Sequence, residues 1–142
     1  MAARTGSAEW RGDLKGGAGS LRVGDGVFEG SYSFASRFEE GEGTNPEELI
    51  AAAHAACYSM ALSGMLAADG HPPDSVTTTA EVQLRNVNGA PTIAQIDLET
   101  HGVVPGIDAV QFESYAEQAK DGCPVSRALA GVPEIAVTAR LA

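Results

Sequence analysis

Two thiols, Cys57 and Cys123, are the side chains best suited to nucleophilic or redox chemistry in this chain. Cys57 lies in NPEELIAAAHAACYSMALSGML, Asn45 to Leu66, among alanines and three residues after His54. A cysteine in apolar surroundings usually has its pKa raised and is inert, so filler is the default reading. Cys123 lies in KDGCPVSRAL, where Gly122 frees the backbone and Pro124 suits a first helical turn. Its thiol is therefore expected at a helix N-terminus, which favours ionisation and makes it, on local physics, the better activated of the two. No C-x-x-C motif is present, which excludes a thioredoxin-type dithiol. His54 and Cys57 at helical spacing can touch, as a Cys-His hydrolase pair or as half of a metal site. His71 and His101 add imidazoles in no compact zinc spacing, so no metal is expected. Arg37, before a glycine-rich acidic loop, reads as a surface charge, and Glu47 as a carboxylate complementing a helix start.

These residues need elements to hold them. Up to about Phe38, the stretches SAEW, GSLRV and GSYSF are separated by glycines, as in strands joined by tight turns. TNPEEL then carries a dense helix start, with Asn45 as N-cap, Pro46 at the first helical position and Glu48 three residues after the cap. That helix is predicted to run to about Ala68, where Gly70, Pro72 and Pro73 stop it. SVTTTAEVQLRNV and TIAQIDLETHGVV alternate as half-buried strands, with NVNGAP as the hairpin turn between them. A second helix fits DAVQFESYAEQAK and ends near Gly122, Pro124 opens a short third one, and PEIAVTARL supplies a last strand. The order is α+β in a single domain over residues 1–142, with no repeat, low-complexity tract or linker.

Nine basic against nineteen acidic residues give a formal charge of −10, which opposes attraction to nucleic acid and to anionic membrane faces. Two cysteines form no extracellular disulfide framework, and MAARTGSAEW lacks the apolar core of a secretory signal, so a cytoplasmic location is expected. Ile50–Ala68 has no charged side chain, yet it is rich in Ala, Gly and Ser, holds His54, and is preceded by Glu47 and Glu48. It reads as a buried helix, not a membrane span. Because it is small-sided and apolar around much of its circumference, it calls for cover on all sides. One subunit of this size covers one or two faces, so a twofold dimer with closely packed helices is expected, against the alternative of a monomer whose later helices cover it.

Together, RFEEGEGTNPEELIAAAHAACYSMAL and VPGIDAVQFESYAEQAKDGCPVSRAL closely resemble the osmotically inducible protein C branch of the OsmC/Ohr family of thiol peroxidases. The likeness runs from about Ala8 to Leu141. It implies an OsmC-like α+β fold, with strands wrapped around a long central apolar helix in an intertwined homodimer. It also implies reduction of organic hydroperoxides, and more weakly of hydrogen peroxide, without metal or flavin. Cys57 matches the peroxidatic cysteine and Cys123 the resolving one, which reverses the local ranking of the thiols. Arg37 and Glu47 match the arginine and glutamate that engage each other beside the reactive sulfur. A Cys57 sulfenic acid, a Cys57–Cys123 disulfide and recycling by a dithiol reductant follow from the same likeness. In the hydroperoxide-resistance branch that reductant is a lipoyl-bearing protein. His54 is not shared with that branch, which speaks against an essential base there, although a Cys57–His54 thioester or ester hydrolase is the alternative reading.

The arginine has a physical task in this scheme. An unperturbed thiol is only a few per cent thiolate at neutral pH, and lowering its pKa by about two units needs ~2.7 kcal/mol of preferential anion stabilisation. A guanidinium donating to the sulfur while Glu47 fixes its plane supplies that, and it also stabilises the alkoxide that leaves on O–O cleavage. Glu47 and Cys57 are ten residues apart, about 15 Å along a straight helix. Either the helix breaks between them or a second subunit supplies Arg37 and Glu47. Phe38, Tyr58, Met60 and Met65 are the expected apolar contacts for substrate, each equally readable as core.

Overall fold

Glycine-punctuated segments at the start of the chain pair into a three-stranded antiparallel meander of β1 (Gly6–Arg11), β2 (Ala18–Val23) and β3 (Phe28–Tyr32). The computed structural model describes all residues, Met1–Ala142, and falls into two units, Met1–Leu49 and Ile50–Ala142. In the first, the register sets Gly19 between Trp10 and Tyr32. A Cβ on Gly19 would stand 2.4 Å from the Tyr32 ring, so only glycine lets the Trp10 and Tyr32 rings approach to 5.3 Å between centroids. After β3 the chain turns into a five-residue helix, α1 (Phe34–Phe38), where the sequence predicted the end of a strand. Ser33 caps it, with Ser33 Oγ accepting from Ser36 N–H and Ser36 Oγ accepting from Ser33 N–H. That reciprocal pair satisfies two helix-end donors and offsets the poor helical quality of the segment.

The long helix α2 spans Pro46–Ala68 without a break, as predicted. Asn45 Oδ1 accepts from Glu48 N–H at 2.8 Å, but Glu48 turns its carboxylate to Thr44 Oγ1 and does not close the box. At the far end, Gly70 takes a left-handed φ of 86° while its N–H and that of His71 donate to the carbonyls of Ala67 and Leu66. This is a Schellman stop, and it accounts for the sharp C-terminus.

In the second unit β4 (Ser75–Val87) and β5 (Ala90–Val103) form a long hairpin, and β6 (Glu134–Leu141) joins β5 in parallel. The hairpin turns through Asn88 and Gly89, both at positive φ, the turn that matches strand twist. Helices α3 (Ala109–Gly122) and α4 (Pro124–Ala128) connect β5 to β6. Asp108 and Gln111 cap α3 reciprocally. The core of this unit joins Tyr58, Leu62 and Leu66 of α2 to Ile96 and Leu98 of β5 and Phe112 and Ala119 of α3. Each large apolar side chain so enclosed contributes about 1.5–3 kcal/mol.

The stripe His54, Tyr58, Leu62 and Leu66 of α2 is fully buried, whereas Ala53, Ala56, Met60 and Gly64 on the opposite side are exposed. Burial all round is thus not achieved within one chain. α2 is long and apolar enough to cross a membrane, but Tyr58, Leu62 and Leu66 of its buried stripe belong to a packed core.

Candidate active site

Cys57 and Cys123 are brought together from positions 66 residues apart, with their sulfurs 3.1 Å from each other and both thiols free. Cys57 comes from the middle of α2 and is half-buried; Cys123, between α3 and α4, is fully buried. Capping determines the second position. Cys123 ends α3 by donating its N–H to the Ala119 carbonyl, and Pro124 starts α4 where its missing N–H costs nothing.

The two thiols have different electrostatic surroundings. Burial pushes Cys57 up, and its hydrogen bond with Cys123 adds to this, against a smaller downward pull from the Val125 N–H and the Arg127 charge. Burial also opposes ionisation of Cys123, but the Ser126 N–H, the Cys57 thiol, the Ser126 hydroxyl and the Val125 N–H together outweigh it, so its pKa lies low. The Cys123 side chain makes no cap hydrogen bond as a thiol; the Ser126 groups favour its anion. Local physics read from the sequence therefore ranked the thiols in the order these surroundings give.

Arg37 and Glu47 form a forked ion pair in the first unit. Arg37 Nη2 donates to Glu47 Oε1 at 2.8 Å, and Nε donates to Oε1 at 3.1 Å and to Oε2 at 3.3 Å. The Glu47 side chain is 9% exposed and that of Arg37 38%, so the pair is anchored at the carboxylate and open at the guanidinium. Arg37 Nη1 has no partner in this arrangement and is free to bind an anion. Glu47 is held by the first turn of α2, and Arg37 by the last turn of α1.

The four expected substrate contacts lie in different settings. Phe38 stacks beneath the Arg37 guanidinium at 5.3 Å and lines an aromatic cavity of about 210 Å³ with Trp10, Tyr32 and Phe34. Met60 is 77% exposed on α2. Tyr58 is fully enclosed and donates to the Ala116 carbonyl at 3.0 Å, and Met65 packs against the core of the second unit. The placements of these last two are those of core residues. His54 is fully buried, but its Nε2 pairs with Ser126 Oγ at 2.7 Å. Its Nδ1 has no hydrogen-bond partner, so neither ring nitrogen is hydrogen-bonded to Cys57. Burial also pushes the His54 pKa down. Sequence reasoning did not find Ser126 or the aromatic cavity. Ser126 is three residues after Cys123, the spacing of a cap and its third helical residue, and that was the available signal.

Comparison with known proteins bears on these features. The family model described as OsmC-like protein matches residues 39–138. The chain is 50% identical over 127 residues to the Peroxiredoxin OsmC of Escherichia coli (strain K12), covering 89% of each. It is 32% identical over 99 residues to the Organic hydroperoxide resistance protein of Xanthomonas axonopodis pv. citri (strain 306), covering 69% of this chain and 68% of that one. The crystal structure of the organic hydroperoxide resistance protein OhrB of Bacillus subtilis superposes with a TM-score of 0.72 at 25% identity, covering 97% of this chain and 98% of that one.

Proposed function

Since the chain belongs to the OsmC-like family, we propose that it is a cysteine-based peroxidase that reduces organic hydroperoxides to alcohols, with hydrogen peroxide as a weaker substrate. The observation that carries this reading is the 3.1 Å separation of two free thiols from segments 66 residues apart. The names of the relatives, a peroxiredoxin and an organic hydroperoxide resistance protein, supply the substrate class.

In this mechanism the Cys57 thiolate attacks the terminal peroxide oxygen. An S–O bond forms, the O–O bond breaks, and the alkoxide takes a proton from water to leave as the alcohol. Sulfur is oxidised by two electrons to the sulfenic acid. The Cys123 thiolate then attacks that sulfur, forming the disulfide and expelling hydroxide, which is protonated to water. The disulfide shields Cys57 from further oxidation. A dithiol reductant, of the lipoyl-bearing kind, is oxidised to its own disulfide as it restores both thiols.

Within one chain the surroundings of Cys57 disfavour its thiolate. A second cation beside the sulfur, added to the Arg127 charge, would reverse this. Because α2 is unbroken, Glu47 and Cys57 stand about 15 Å apart along its axis. The reading is accordingly an intertwined homodimer in the cytoplasm, each chain acting as one OsmC-like domain, in which the partner's Arg37, fixed by the partner's Glu47, donates its free Nη1 to the sulfur of Cys57. The exposed stripe of Ala53, Ala56 and Gly64 supports close helix packing in such a dimer. Phe38 and Met60 are the substrate contacts this arrangement retains.

The test is cumene hydroperoxide consumption with dihydrolipoamide as reductant. Turnover by wild type and none by Cys57→Ser is expected; equal rates overturn the proposal. Ester turnover abolished by His54→Ala would instead support the hydrolase, which the lack of a hydrogen bond from either His54 nitrogen to Cys57 disfavours.

A further inference from the structure

Two buried polar side chains near the thiols have no part in the mechanism above. His54 Nε2 lies 2.7 Å from Ser126 Oγ, joining residues 72 positions apart. His54 is 0% and Ser126 6% exposed, and His54 Nδ1 is buried with no hydrogen-bond partner. Ser126 occupies the third position of α4, whose N-cap is Cys123. Cap and third helical residue are one turn apart, the spacing of a capping box, although no side-chain cap hydrogen bond joins them while Cys123 is a thiol.

The orphaned Nδ1 determines the direction of the pair. Burial keeps the imidazole neutral, so one nitrogen carries the hydrogen. Were it on Nδ1, a buried N–H would be left with nothing to bond, which folded proteins tolerate less readily than a bare acceptor. The hydrogen therefore belongs on Nε2, which donates to Ser126 Oγ. A serine oxygen engaged as acceptor in this way has its own hydrogen free, and His54 is its one nitrogen or oxygen partner. Cys123 lies one helical turn before Ser126, and the Ser126 hydroxyl is among the groups that favour the Cys123 anion, so that hydrogen is available to the sulfur once it ionises.

We propose that His54 is a positioning residue for the resolving step: by donating from Nε2 to Ser126 Oγ it aims the serine hydroxyl at the sulfur of Cys123. The two-bond relay holds Cys123 ready as a thiolate when the Cys57 sulfenic acid forms. The Ser126 hydroxyl is one of the groups favouring the Cys123 anion. The other titratable or charged groups acting here are Cys57, whose thiol is hydrogen-bonded with that of Cys123, Arg127, whose charge acts on Cys57, and Tyr58, itself under the influence of Glu117. The relay rests on the peroxidase reading for its purpose, but the His54–Ser126 bond that anchors it is present in the reduced protein without peroxide.

Three measurements on the full-length protein test it. Nitrogen-15 chemical shifts of the His54 ring in the reduced protein should report a neutral imidazole protonated on Nε2; protonation on Nδ1 overturns the relay. In a Cys57→Ser background, ultraviolet thiolate absorbance should show the Cys123 titration rising by about one pH unit in Ser126→Ala and His54→Leu, with His54→Gln, whose amide can donate from the same place, close to the parent. An unmoved titration in folded Ser126→Ala overturns the proposal, as does a His54→Gln shift equal to that of His54→Leu. Should His54→Leu not fold, Ser126→Ala, which deletes a single oxygen, decides. With Cys57 present, disulfide closure after one equivalent of cumene hydroperoxide should slow about threefold in Ser126→Ala: tenfold less thiolate is offset by a roughly threefold gain in its nucleophilicity. Formation of the Cys57 sulfenic acid should keep its rate. If wild type forms no Cys57–Cys123 disulfide with peroxide, the peroxidase reading fails, while the tautomer and the titration still decide the relay.

Discussion

The guanidinium of Arg37 is the residue on which most of the proposed chemistry turns, because its fork to Glu47 leaves one nitrogen unbonded. Arg37→Gln should raise the Cys57 pKa by about two units and cost up to roughly 100-fold in kcat/KM at neutral pH. Arg37→Lys keeps the charge but loses the planar fork, so it should recover only part of the activity. Peroxide kinetics against pH check both, with thermal melts to account for the buried Glu47 left without its partner. His54 provides a second prediction. Its folded pKa lies below the unfolded value of about 6.5, so between the two the unfolded chain binds more protons. Stability should therefore fall as pH drops from 6.5 towards the folded value and level off below it. His54→Gln should remove that slope, as urea melts at pH 7 and pH 5 can verify.

Among the elements, the N-cap of α2 can be tested most directly. Asn45 accepts from Glu48 N–H and also donates from Nδ2 to the Ser36 carbonyl, so Asn45→Ala should cost about 1 kcal/mol for the cap alone. Urea denaturation measures it. This cap was legible in the sequence, as were the stop at Gly70 and the turn at Asn88–Gly89, because each depends on residues within a few positions of one another. Helix α1 was not, since five residues carry too little periodicity and its Ser33–Ser36 box lies in a segment with strand composition. The parallel pairing of β6 with β5 and the His54–Ser126 contact were equally hidden, and the approach of Cys57 to Cys123 was implied by family resemblance alone. They depend on how distant elements pack, and spacing along a chain does not encode that. Arg37 and Glu47 looked like ordinary surface charges until family resemblance paired them; their contact is in the structure.

At the scale of the whole molecule, a site assembled from two chains has a signature that no single-chain site shares. Cys57→Ser should be inactive alone and Arg37→Gln should keep only its small residual rate, yet mixing them through reversible unfolding should restore roughly a quarter of wild-type turnover. Half of randomly formed twofold dimers pair one of each, and such a dimer holds one complete site. Additive residual rates would place Arg37 and Cys57 of the same chain together instead.

The unequal burial of the two sulfurs has a consequence for recycling. Once they are joined, only the Cys57 side of the bond is open to an incoming thiolate, because Cys123 is sealed inside the fold. The visiting reductant is thus steered onto Cys57, and the group it displaces is the more acidic thiol, which is the better leaving group. One asymmetry of enclosure would make the door by which peroxide enters also the door by which electrons return.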